Sequence, residues 1–84
     1  MLYYLIICRS LTYAQRTALA LERSGIPAHI LRAPQTVSSS GCSHAVKVSQ
    51  RNLSQALVVL NRVGLSPEQV YLIEGDGSYR EVSL

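Results

Sequence analysis

The chain has 84 residues, of which 48% are hydrophobic and 15% charged, with a formal net charge of +3. This length gives one domain, and this balance excludes an intrinsically disordered chain. The basic residues Arg9, Arg16, Arg23, Arg32, Lys47, Arg51, Arg62 and Arg80 are spread along the sequence. The absence of a basic block argues against a dedicated nucleic-acid binder, and two cysteines, Cys8 and Cys42, are too few for a disulfide scaffold.

Residues 2–8 (LYYLIIC) are rich in β-branched and aromatic types, which predicts a buried strand. The run is far shorter than the roughly twenty apolar residues of a membrane span. It has neither the basic start nor the small-residue cleavage site of a signal peptide, so a cytoplasmic protein without a membrane partner is expected. Thr12 stands three residues before Gln15, the spacing of a capping box. Leu11, Ala14, Ala18 and Leu21 follow at helical spacing, and Gly25 and Pro27 end that helix.

Residues 28–32 (AHILR) predict a second strand, closed by Pro34. Residues 33–43 (APQTVSSSGCS) are small and polar and predict a loop; residues 44–48 (HAVKV) alternate and predict a third strand. A second helix is expected from about Asn52 to Val63, with Leu53, Ala56, Leu57, Leu60 and Val63 on one face and Gly64 as its stop. Ser66-Pro67-Glu68 marks a short turn, and residues 70–74 (VYLIE) a fourth strand. Gly75-Asp76-Gly77 is a hairpin signal leading into a short fifth strand over residues 78–82.

The order βαββαβ predicts an α+β fold, a ferredoxin-like sandwich over residues 1–84 with an antiparallel sheet and both helices on one face. In that topology the first two strands run the same way and the third and fourth run opposite. The end of strand one, the start of helix one and the strand two–three loop then share one rim. That rim would carry Arg9, Ser10, Thr12, Arg32, Ser38, Ser39, Ser40, Gly41, Cys42 and His44.

The loop is longer than a hairpin requires, since such connections usually take about 2–5 residues. Gly41 can adopt positive φ, and Ser38, Ser39, Ser40 and Ser43 can bond their own backbone. Consecutive N–H groups in such a turn form an anion-binding concavity.

An apolar first strand is followed by a Ser/Thr helix start. The first helix ends in Gly25-Ile26-Pro27, and Pro34 follows strand two. Ser38-Ser39-Ser40-Gly41-Cys42 then leads into Ala45-Val46-Lys47-Val48. In these features, up to about Val48, the chain resembles the small bacterial selenium/sulfur carrier-like protein family. That family shows a basic residue after the proline and a glycine after the cysteine; here those positions are Gln35 and Ser43. The resemblance implies that Cys42 carries sulfur or selenium and that protein donors and acceptors load and unload it.

Such a carrier needs a thiolate. The helix-one N-terminus, Arg9, Arg32 and loop N–H groups would stabilise one. The bland alternative is Cys42 as a small loop residue. Cys8, in an apolar strand, is expected to pack in the core; it would act as a resolving thiol only if strand one ended near the loop. His44 would support Cys42 as a Cys–His pair only where strand geometry already holds at Cys42. His29 is expected on the strand surface.

No CxxC or HxxxH spacing supports a metal site, and no cofactor is expected. The Ser-Gly loop is not a Walker loop. Strand three has no aromatic residue, which argues against RNA recognition despite Tyr3 and Tyr4. The acids Glu22, Glu68, Glu74, Asp76 and Glu81 form no paired-carboxylate site, and no Ser/His/Asp set is identifiable, so a non-enzymatic protein is expected. Two further readings stay open. One is a binding or regulatory module that captures a small anion or a protein terminus without using the thiol. The other is a structural subunit forming a homo-oligomer through a sheet edge.

Overall fold

The computed structural model describes residues 2–34, 44–67 and 69–82. Its elements are β1 (Tyr3–Cys8), α1 (Leu11–Arg23), β2 (His29–Arg32), β3 (His44–Ser49), a 3-10 turn (Gln50–Asn52), α2 (Leu53–Arg62), β4 (Gln69–Ile73) and β5 (Tyr79–Val82). The strands form one sheet in the order β2-β3-β1-β4-β5, and every neighbouring pair is antiparallel. Both helices pack on one face, giving the expected ferredoxin-like arrangement with β5 added at the edge. No helix among the described residues is long and apolar enough to cross a membrane.

Helix α1 starts two residues earlier than the Thr12–Gln15 spacing suggests. Ser10 is its N-cap, in extended backbone, and its side-chain oxygen accepts a hydrogen bond from the Tyr13 N–H at 3.1 Å. Both helices end in the same way. Ile26 N–H donates to Leu21 O and Gly25 N–H to Glu22 O; Leu65 N–H donates to Leu60 O and Gly64 N–H to Asn61 O. These are Schellman caps, which place Gly25 at φ 81° and Gly64 at φ 78°, where a β-carbon is costly. The residue after each glycine, Ile26 or Leu65, folds back onto the core.

The helical stripes keep most of the expected residues, including the partly buried Leu53 and Leu57, but each loses one end residue and gains one inner residue. In α1 the buried residues are Ala14, Thr17, Ala18 and Leu21, while Leu11 is exposed. In α2 they are Ala56, Val59 and Leu60, while Val63 is exposed at the C-cap. These stripes cover Ile6, Val46, Val48 and Val70 on the sheet. The opposite face holds a smaller cluster of Leu5, Ala33 and Ala45, bordered by Ile7, Leu31, Tyr71 and Ile73. There the Lys47 ammonium lies 4.4 Å from the centre of the Tyr3 ring.

The β4–β5 hairpin follows its sequence signal. Glu74 N–H donates to Ser78 O at 2.8 Å, closing a loop with Gly77 at φ 88°. Asp76 Oδ1 accepts from both the N–H and the hydroxyl of Ser78, at 2.9 and 2.6 Å. These bonds hold the Asp76 carboxyl below its ordinary range.

Candidate functional site at the head of the third strand

The sheet register fixes one corner of the molecule. His44 opens β3 and lies directly opposite Cys8 at the end of β1 and opposite Arg32 at the end of β2. Arg32, His44 and Cys8 therefore form a row across three strands. Neighbouring strands are about 4.8 Å apart, so the row spans roughly 10 Å. Arg9 and Ser10 follow Cys8 immediately and lead into α1. The expected rim is thus assembled for Arg9, Ser10, Arg32 and His44. Thr12 stands nearby on the first turn of α1. Ser38, Ser39, Ser40, Gly41, Cys42 and Ser43 lie outside the described residues, as do Gln35 and Glu68.

The row has a dry side and a wet side. Cys8 faces the helices and is only 2% exposed. Its Sγ lies 3.7 Å from Ile6 O and 3.9 Å from Thr17 Oγ1, to both of which the thiol can donate. Burial pushes the Cys8 thiol above its ordinary value, and the Thr17 hydroxyl offsets part of that rise. A buried, protonated thiol is a poor nucleophile. Cys8 is therefore the core residue that the sequence implied.

Arg32 and His29 are exposed at the sheet edge. The Arg9 guanidinium lies 5.1 Å from the centre of the Tyr13 ring, one turn into α1, which steers it along the helix start. His44 is half-buried, and its Nδ1 atom is buried with no hydrogen-bond partner among the described residues. Such an atom costs free energy unless it is satisfied. This corner thus offers two guanidinium groups, an imidazole and the N-terminus of a 13-residue helix with no acid in its first turn. The guanidinium groups and the helix N-terminus favour an anion over a cation. Among the described residues no group of His, Cys, Asp and Glu is placed to hold a metal ion.

Thr17 was not among the expected site residues. It is fully buried beneath Cys8, the one polar side chain among the described buried residues. Its signal was positional, since it lies three residues after Ala14 and four before Leu21 on the apolar stripe.

Fold and corner together define a small ferredoxin-like domain in which Arg32, His44 and Cys8 share one row across three strands. The family described as "Putative Se/S carrier protein-like" matches residues 3–72, and the chain belongs to that family. The match runs well past Val48, through α2 and most of β4. No curated protein sequence and no solved structure gives a significant match.

Proposed function

We propose that the protein is a non-enzymatic carrier of sulfur or selenium, with Cys42 as the cargo-bearing thiol. Membership of the carrier-like family carries this reading. The chemistry of the corner supports it. Two residues of chain span at most roughly 7 Å, so Cys42 is tethered to the strand head formed by His44. Cys8, the other cysteine, is sealed in the core with its proton held on.

Loading is a sulfane transfer. The Cys42 thiolate attacks the outer sulfur of a donor protein's persulfide. A new bond forms to Cys42 Sγ, the donor's S–S bond breaks, and its electron pair leaves on the donor thiolate. Charge and electrons balance without an added oxidant. The terminal sulfur or selenium would be anionic, and Arg9, Arg32 and the α1 N-terminus would stabilise it. Unloading is the same exchange onto an acceptor thiolate.

Incubation with a persulfide donor followed by intact-mass measurement tests the proposal. The wild-type protein and Cys8→Ser are expected to gain one sulfur atom, and Cys42→Ser none. Equal loading of Cys42→Ser would refute the assignment.

A further inference from the structure

Between the two helices lies an open groove of about 430 Å³. Leu19, Val59 and Val63 form apolar parts of its lining, and the guanidinium residues Arg16, Arg23 and Arg62 border it. Leu19 and Val63 remain 48% and 52% exposed, so half of each apolar side chain faces water.

Among the described residues that line this groove, the charged ones are all arginines. Helix α2 carries no acid, and α1 carries only Glu22, which does not line the groove. Arg80 pairs with Glu74 at 2.8 Å in the β4–β5 hairpin, and neither residue lines the groove. Arg23 and Arg62 fall in the last turn of their helices, where a cation interacts well with the helix dipole. That accounts for two arginines and not for Arg16, in the middle of α1. Arg16, Leu19 and Arg23 recur at i, i+3 and i+7, which sets an apolar residue between two cations on one stripe.

We propose that this groove docks an acidic amphipathic helix of a partner protein. The apolar stripe of that helix would cover Leu19, Val59 and Val63, and its flanking carboxylates would pair with Arg16, Arg23 and Arg62. The guanidinium fork suits two-point carboxylate pairing, and an amphipathic helix in an apolar groove is a recurrent recognition mode. A nucleic-acid backbone has no apolar stripe with which to cover these residues. The inference is independent of thiol chemistry, because it uses neither cysteine.

The test is selection from a displayed library of helical peptides whose flanking positions vary among Glu, Gln and Lys, using the intact protein as bait. The expected winners carry Glu beside an apolar i, i+4, i+7 stripe. Their binding should weaken with added salt and fall roughly tenfold or more in Arg16→Glu/Arg23→Glu/Arg62→Glu, from the loss of three surface pairs. All three arginines are exposed, so the fold should survive, and Arg16→Gln/Arg23→Gln/Arg62→Gln serves as a milder second variant. Cys42→Ser should bind as the wild type does. Winners without acidic bias, or winners that bind both arginine variants as tightly as the wild type, would overturn the proposal. Binding to anionic lipid vesicles with no peptide selected would also overturn it, in favour of a membrane surface.

Discussion

The helix-covered face of the sheet buries Ile6, Val46, Val48 and Val70 against Ala14, Leu21, Ala56 and Leu60, whereas the cluster on the opposite face buries only Leu5, Ala33 and Ala45. The first face has the enclosure that makes a core. The second rests on cross-strand neighbours and a rim of half-buried side chains. Stability is therefore concentrated between helices and sheet. Where polar chemistry enters that region, it does so at one end, through Cys8, Thr17 and His44. The domain is anchored from one side, and the Arg32–His44–Cys8 row lies at the margin of that anchor.

The sharpest way to break this asymmetry is truncation on each face. Leu60→Ala should cost about 3 kcal/mol, because the helices cannot close over the cavity. Leu5→Ala is equally buried but should cost nearer to about 2 kcal/mol, because its neighbours can relax toward solvent. Urea unfolding of both variants checks this, and equal losses would show that the faces contribute alike.

Cys8 gives a second handle, through pH. Its folded-state pKa is raised by burial, so the unfolded chain ionises first as the solution becomes alkaline. Its stabilising contribution is intact below the unfolded thiol value of about 8.5. Above that value stability falls by at most about 1.4 kcal/mol per pH unit, until the folded thiol also ionises. The stability difference between wild type and Cys8→Ala should therefore shrink between pH 8 and pH 10, as followed by urea midpoints. A difference that stays constant would mean that the thiol is not desolvated.

The smallest expected effect lies at the start of α1. Ser10→Ala removes the side-chain bond to the Tyr13 N–H and should cost about 1 kcal/mol. Thr12→Ala should cost less, because Thr12 lies inside the helix and not at its cap. A larger loss at Thr12 would restore the capping box that the sequence suggested.

The element order was legible because each element carries its own period: alternation in His44–Ser49, a 3.6-residue stripe in α1, and Gly-Asp-Gly before β5. Helix phase was less legible. Thr17 is polar yet buried, and Val59 is buried while Val63 is not, since the Schellman turn at Gly64 lifts the C-cap residue off the sheet. The part of the rim formed by Arg9, Ser10, Arg32 and His44 was legible through topology alone. The residue pairs within it, Cys8 with His44 and His44 with Arg32, depend on strand register, which no local pattern encodes. The arginine-bordered groove was invisible for a related reason. Arg62 reaches Arg16 and Arg23 only through tertiary packing, and in the sequence the three read as scattered charges.

The most direct measurement of the central claim is the pH dependence of alkylation at each cysteine, resolved by peptide mass spectrometry in Cys8→Ser and Cys42→Ser. The carrier reading predicts that Cys42 reacts as a thiolate with an apparent pKa well below about 8.5, while Cys8 stays protected in the folded state. An ordinary pKa at Cys42, or faster labelling of Cys8, would contradict it.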